Sequence, residues 1–359
     1  MKPKDTIKNI SPYSEGRGTN ETGIKMSSNE TPFPPDKSSF ELMKGALRSI
    51  NRYPEKEPGG LKTLIGKFYG LSERHIVLGN GSDELMQFIY MAFVDPGDSV
   101  IIPEVTFLMY GIYADIFGAK KVTSRMKNYA IDLYDILKKI EKTTKVVFLA
   151  TPNNPTGLLV PEADLVRFIK KVPSRVLVAV DAAYMDFADD NYEKRFKSIL
   201  QSGKKNVVFL RTFSKSFGMS GLRLGYSVAD LETSSVLNQM RQPFNINSLA
   251  LSLASHMMKQ KNISQRRIIK IKKNKIQMEK FFERNHISYL PSQTNFFCIK
   301  LKKSKAFFDF CREKGIFIRS MESFGMPGHI RVTVSLKKHN QLFQKCLREF
   351  LKKQEGDAK

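Results

Sequence analysis

The chain has 359 residues, of which 41% are apolar and 26% charged, an ordinary balance for a soluble globular fold and not for a disordered or fibrous one. No apolar run approaches the roughly 20 residues a membrane helix needs. The net charge of +24 invites a nucleic-acid reading, but no RRM, KH, zinc-finger or basic-zipper signature is present and the lysines are spread along the whole chain.

Residues 1–35 are polar and rich in turn formers, and read as an irregular arm. Met1–Asn9 carries no apolar segment of the kind found in secretory signals. From about 40 to 240, strand-sized apolar runs at 76–78, 99–102, 145–149, 175–180 and 206–210 alternate with amphipathic stretches. Helices are expected near 39–50, 60–68, 82–94, 107–117, 133–140 and 161–171. Strands apolar on both faces, alternating with helices, imply an α/β unit with a mostly parallel sheet covered on both sides. A long helical pattern then runs from about 247 to 285. It is followed by a strand at 295–299, a helix near 304–314, strands at 316–319 and 329–335, and a terminal helix from about 338. The expected organisation is an arm at 1–35, a large domain at 36–245 and a smaller α+β domain at 246–359.

The densest basic run, Arg266–Ile276, has isoleucines at helical spacing and reads as a helix with one buried and one basic face. The charge is therefore assigned to solubility and to steering of anionic ligands, with specific nucleic-acid binding not expected. Cys298, Cys311 and Cys346 are odd in number and match no zinc spacing, which points to a reducing, cytoplasmic compartment. Gly79-Asn80-Gly81-Ser82-Asp83-Glu84 lacks the third glycine of a dinucleotide fingerprint.

Three expected strands end in chemically useful residues: the loop Thr151-Pro152-Asn153-Asn154-Pro155-Thr156-Gly157, then Asp181-Ala182-Ala183-Tyr184, then Arg211-Thr212-Phe213-Ser214-Lys215. Ligands of open parallel sheets sit at such carboxyl ends. Lys215, between hydroxyl residues, can form a Schiff base while its neighbours hold a phosphate; alone it also reads as a solvated loop lysine. A carboxylate just beyond a buried strand, such as Asp181, needs a partner: a protonated pyridine nitrogen suits it, and a helix N-cap or a buried structural salt bridge stands as the alternative. The segment from Gly79 opens a helix, where glycines and the helix N-terminus suit an anion, and Arg223 can add a cation.

Taken in order, Met26–Pro32, Arg52-Tyr53-Pro54, Gly79–Glu84, Pro103–Tyr110, Pro152–Gly157, Asp181–Tyr184, Thr212–Lys215, Gly221–Tyr226 and His329–Val334 resemble the fold-type I aminotransferases that depend on pyridoxal 5′-phosphate, in the histidinol-phosphate aminotransferase branch. The resemblance implies Lys215 as the cofactor-bearing lysine and Asp181 as partner of the pyridine nitrogen. It implies Asn154 and Tyr184 at the phenolic oxygen, with Tyr184 also counted as catalytic. Gly81, Ser82, Asp83, Thr212, Ser214 and Arg223 fall at the phosphate, and Phe107 falls where an aromatic ring stacks on the cofactor. Tyr53 would reach the phosphate from a second subunit, implying a homodimer. Arg331 and Arg319 would grip the substrate's anionic groups, together with Asn154 and Tyr13.

Phe107 stands where tyrosine is common, and Ala183 where glutamate is common. The implied reaction is transamination of histidinol phosphate with 2-oxoglutarate. An aromatic amino-acid aminotransferase, a threonine-phosphate decarboxylase and a regulatory or nucleic-acid-binding protein on the same fold stand as alternatives.

Overall fold

The computed structural model describes residues 10, 23–54, 59–189, 198–202, 204–260 and 262–356. Its strands are β1 (Ile24–Lys25), β2 (Ile76–Gly79), β3 (Ser99–Pro103), β4 (Lys120–Ser124), β5 (Met126–Lys127), β6 (Ala130–Ile131), β7 (Thr144–Ala150), β8 (Leu177–Asp181), β9 (Val207–Thr212), β10 (Gly225–Ala229), β11 (Phe296–Lys300), β12 (Ile316–Phe317), β13 (Arg319–Ser320) and β14 (His329–Thr333). Seven of them form one sheet in the order β2-β10-β9-β8-β7-β3-β4. Only β10 runs antiparallel to its neighbours, so the sheet is mostly parallel, as expected.

The two faces of this sheet follow from strand alternation. Val147, Leu149, Val178, Val180, Val207 and Phe209 point to one side, against helices Gly59–Tyr69, Glu162–Lys171 and Ser248–Lys259. Val146, Phe148, Leu177, Ala179, Val208 and Leu210 point to the other, against helices Gly81–Phe93, Met109–Phe117 and Leu231–Gln239. Both faces are dry, which is why these strands read as continuous apolar runs.

A second core gathers Phe282, Phe296, Phe297, Phe307 and Phe343 around the antiparallel sheet β11-β14-β13. β1 pairs in parallel with β12, and Met26 lies in this second core. Thr333 N–H donates to Met26 O at 2.9 Å, Asn29 N–H to Thr333 Oγ1 at 3.0 Å, and Asn295 Nδ2 to Asn29 O at 3.0 Å. These bonds carry residues 26–30 across the junction between the two cores, beside the carboxyl ends of β7–β9.

Three expectations are corrected. The pattern at 247–285 is two helices, Ser248–Lys259 and Asn262–Arg284. Strands β4 and β10 and helix Leu231–Gln239 were not foreseen: β4 is a lysine-bearing, largely exposed edge, and β10 is a short Gly-Tyr-Ser-Val-Ala run. The basic helix also places its residues differently from the isoleucine pattern. Ile271 is buried, but Ile269 and Ile276 are 65% and 50% exposed, while Arg267 and Lys275 lie on the buried face. Arg267 donates to Pro34 O at 2.9 Å and Lys275 to Ser292 O, so carbonyls satisfy both buried cations.

Candidate active site

The carboxyl ends of β7, β8 and β9 open onto a cleft of about 620 Å³. It is lined by Ser82, Asp83, Phe107, Asn154, Asp181, Tyr184, Thr212, Ser214, Lys215 and Arg223, all singled out from sequence, together with Ser28, Glu30 and Met109. Residues separated by more than 130 positions thus meet in one concave site, as a parallel sheet requires of its strand ends.

Asp181 is buried as the last residue of β8. Its Oδ1 accepts from Ala183 N–H at 3.0 Å and its Oδ2 from the Tyr110 hydroxyl at 2.8 Å. Burial pushes the carboxyl up to about 6, against the lowering effect of the Tyr110 and Ala183 hydrogen bonds and the Lys215 charge. A buried carboxylate so placed favours a cation in front of it. Tyr110 itself is wholly buried, and burial first, then the Asp181 charge, raises its hydroxyl well above the ordinary range, so it acts as a neutral donor.

Between β2 and helix Gly81–Phe93, the backbone turns at Gly81 with φ 77°. Glu84 holds this turn, its Oε2 accepting from Asn80 N–H at 2.7 Å and from Asn245 Nδ2 at 2.8 Å. The neighbouring Asp83 points into the cleft. Its Oδ2 accepts from the Tyr113 hydroxyl at 2.9 Å, while Oδ1 is buried with no hydrogen-bond partner among the described residues. Burial raises the Asp83 carboxyl above its ordinary value, opposed by the Tyr113 hydrogen bond and the Arg223 charge.

β10 crosses directly behind this loop. A Cβ on Gly225 would lie 2.5 Å from Gly81 C and from Ser82 N, so only glycine permits the approach. Arg223 sits at φ 53°, and its guanidinium donates to Ser220 O at 2.9 Å and toward Ser214 Oγ at 3.4 Å. Helix N-terminal amides, small hydroxyls and this arginine together suit a bound phosphate.

Lys215 Nζ donates to Ser28 O at 3.3 Å and lies 5.5 Å from the Tyr184 ring centre. Tyr184 Oη accepts from Asn29 Nδ2 at 2.9 Å. The doubled asparagines divide their work. Asn153 is absorbed by its own loop, donating to Val105 O at 2.9 Å and accepting from Thr106 Oγ1 at 2.9 Å. Asn154 faces the cleft, and its Oδ1 accepts from Arg331 at 2.6 Å, which leaves its amide N–H groups directed elsewhere.

Arg331 is buried and does not line the cleft; it reaches it through Asn154, and also donates to Ser27 O at 2.7 Å. Arg319, equally buried, pairs directly across the strands with Arg331, and both guanidinium groups lie within 6 Å of the Phe324 ring centre, at 5.8 and 5.9 Å. Gly81 shapes the loop without lining the cleft. Tyr53 stands outside it, 82% exposed and stacked on Phe244 at 4.7 Å. Tyr13 lies outside the described residues. Sequence reasoning missed Tyr110, Tyr113, Asn29 and the role of Gly225; Asn29, Tyr110 and Gly225 stood within quoted motifs but carried no assigned part. Among the described residues no cluster of His, Cys, Asp or Glu could hold a metal ion, and no helix is long and apolar enough to cross a membrane.

Comparison with known proteins places these observations. The family model described as aminotransferase class I and II matches residues 21–344. The histidinol-phosphate aminotransferase 2 of Pasteurella multocida is 33% identical, covering 96% of this chain and 97% of that protein. The histidinol-phosphate aminotransferase of Caldicellulosiruptor saccharolyticus is 34% identical, over 97% and 99%. Among solved structures, the histidinol-phosphate aminotransferase of Clostridium acetobutylicum superposes with a TM-score of 0.82 at 25% identity, covering 91% of this chain and 98% of that one. The enzyme of Sinorhizobium meliloti, solved in complex with pyridoxal 5′-phosphate, superposes with a TM-score of 0.84 at 24% identity, over 92% and 91%, and so shares the fold.

Proposed function

The chain belongs to the class I and II aminotransferases, and from that premise we propose that it transfers the amino group of histidinol phosphate to 2-oxoglutarate, a step of histidine biosynthesis. Relatives of that name at 32–34% identity over nearly the whole chain support the assignment. The structural observation that most favours a phosphorylated donor is the cross-strand pair of Arg319 and Arg331 beside Phe324. Two neighbouring guanidinium groups match the charge and acceptor geometry of a dianionic phosphate.

Pyridoxal 5′-phosphate is the cofactor, and the residues present fit it. The raised Asp181 carboxyl at one end, and the glycine-permitted approach of β10 behind Ser82 beside Arg223 at the other, match a ligand with a cationic ring at one end and a phosphate at the other. When bound, the cofactor supplies an electron sink for negative charge at the substrate's amine-bearing carbon.

In this reading Asp181 would pair with the ring nitrogen and favour its protonated form. Asn154 and Tyr184 hold the phenolic oxygen, Phe107 covers the ring face, and Gly81, Ser82, Asp83, Thr212, Ser214 and Arg223 form the phosphate end. Lys215 carries the cofactor covalently between turnovers. With a substrate amine in place, the free Lys215 Nζ would hold and move the proton at the amine-bearing carbon. Arg331, with Asn154 and Arg319, orients the donor's anionic tail, and Tyr13 adds a contact from the arm.

The working form in this reading is a cytoplasmic homodimer. Tyr53, stacked on Phe244, and the exposed Phe40, Leu47 and Ile50 offer apolar side chains to a second copy, which would bring Tyr53 to the partner's phosphate end. Residues 36–245 carry the cofactor and 246–359 form the smaller domain, against which Ile24, Met26 and Phe33 of the arm pack. The test is glutamate formation from 2-oxoglutarate and histidinol phosphate by the wild type and by Lys215→Ala. The variant should bind cofactor and form no glutamate; turnover retained by the variant would overturn the role of Lys215.

A further inference from the structure

On the side of the Lys215 loop away from the cleft, a buried ion pair links the two segments that carry the proposed chemistry. Arg211 directly precedes the Thr212–Lys215 segment, and its side chain is 6% exposed. One guanidinium nitrogen donates to Ala182 O at 2.9 Å, the carbonyl immediately after Asp181. Another donates to the Asp186 carboxylate, two residues after Tyr184. The second Asp186 oxygen accepts from Ser216, the residue after Lys215. Asp186 is itself only 12% exposed. The pair and Ser216 border a separate small cavity of about 200 Å³ behind the loop, so none of the three touches the cleft.

The backbone alone does not fix this relationship. β8 and β9 pair through Val178–Asp181 and Val207–Leu210, and one further bond, Ala182 N–H to Leu210 O at 2.9 Å, closes the ladder. Beyond it segment 182–187 and the end of β9 with the loop that follows, 211–218, no longer pair with each other. Side-chain bonds of Arg211, Asp186 and Ser216 are what tie them together again. A lysine that must leave one bond, move a proton and return needs its Cα held against a fixed ring, because misplacement by an ångström costs roughly 100-fold in rate.

We propose that Arg211 and Asp186 are positioning residues for the transamination, holding Asp181 and Tyr184 in fixed relation to Lys215. The planar guanidinium is essential to this, since it reaches Ala182 O and Asp186 in two directions at once and a lysine ammonium at that depth does not. The inference rests on the reading of Lys215 and Asp181 as the groups that act on the cofactor.

The experiment compares wild type, Arg211→Lys and the double variant Arg211→Met with Asp186→Leu, all loaded with pyridoxal 5′-phosphate. Four quantities are read: the single-turnover rate with histidinol phosphate, the steady-state KM for it, the visible circular dichroism of the bound cofactor, and the melting temperature. Replacing a buried ion pair by apolar side chains of similar volume is often neutral for stability, so the double variant separates positioning from folding. The expected result is a loss of roughly 10- to 100-fold in rate for both variants, with KM within about twofold of wild type. An altered visible dichroism should accompany it in both, even though the double variant melts near the wild-type temperature. A double variant that melts normally and regains both the wild-type rate and the wild-type dichroism would overturn the proposal and leave the pair a purely structural one. Failure of the wild type itself to change absorbance with histidinol phosphate would instead refute the underlying functional reading.

Discussion

The hydroxyl of Tyr110 donates to Oδ2 of Asp181 at 2.8 Å, joining the first turn of helix Met109–Phe117 to the last residue of β8. This bond is one of the forces holding the Asp181 carboxyl down against the burial that raises it. Tyr110→Phe keeps the ring, which stacks on Phe148 with centres 5.0 Å apart, and removes only the donor. The Asp181 carboxyl should then rise further, and cofactor affinity should fall by roughly tenfold near neutral pH, the scale of a hydrogen bond to a charged group. Because the raised carboxyl protonates earlier, the loss should grow as pH falls. Cofactor titration over a pH series measures both effects, and an unchanged affinity throughout would contradict them.

Asp181 also predicts a cost in the cofactor-free protein. Its folded carboxyl, at about 6, lies above the ordinary value of 3.8. A raised carboxyl contributes stability that is present below the ordinary range and lost as pH rises through about 6, by at most about 3 kcal/mol. Asp181→Asn does not titrate, so without cofactor it should melt above wild type at about pH 8, keep about half of that advantage near pH 5 and lose it as pH falls below about 4. With cofactor bound the order should reverse at the higher pH, because the carboxylate then faces a cation. Equal melting temperatures of the two cofactor-free proteins at about pH 8 and about pH 5 would refute the argument.

Gly225→Ala tests the close crossing behind the phosphate loop. Its Cβ would meet backbone atoms of Gly81 and Ser82 at 2.5 Å, which cannot yield as a side chain can. An overpacking strain of about 1–3 kcal/mol is expected, expressed as weaker cofactor binding by about tenfold or more. Gly45→Ala, where a Cβ meets nothing within 4 Å, should leave affinity unchanged and serves as the control.

Arg319→Gln should separate the phosphate from the rest of the donor. Steady-state kinetics are expected to show KM for histidinol phosphate raised by roughly tenfold with kcat little changed, the pattern of lost uniform binding. The preference of the enzyme for histidinol phosphate over histidinol should shrink by a similar factor. An unchanged preference would place the phosphate elsewhere.

Lys215 and Asp181 are legible in the sequence because each lies just beyond a continuous apolar strand, and strand ends of a parallel sheet must converge. Asn154, Ser82 and Arg223 are legible for the same reason, as polar residues in loops that follow or flank strands. Tyr110 is not, since nothing local distinguishes a helix tyrosine that meets a carboxylate 71 positions away from one that merely fills the core. Arg211 and Asp186 are hidden likewise, being charged residues whose burial is apparent only once β8 and β9 are neighbours. The register of the basic helix escaped because its buried face carries Arg267 and Lys275, whose charges are answered by carbonyls from distant loops. Tyr53 is exposed in the single chain, so its assigned part depends on a second copy.

The most direct test of the account follows the absorbance of the cofactor-loaded protein in a single turnover, with histidinol phosphate, phenylalanine and O-phosphothreonine added separately. The account predicts rapid conversion to the aminated cofactor with histidinol phosphate, slow conversion with phenylalanine, and no carbon dioxide from O-phosphothreonine. Faster conversion with phenylalanine, or carbon dioxide release from O-phosphothreonine without amination of the cofactor, would contradict it.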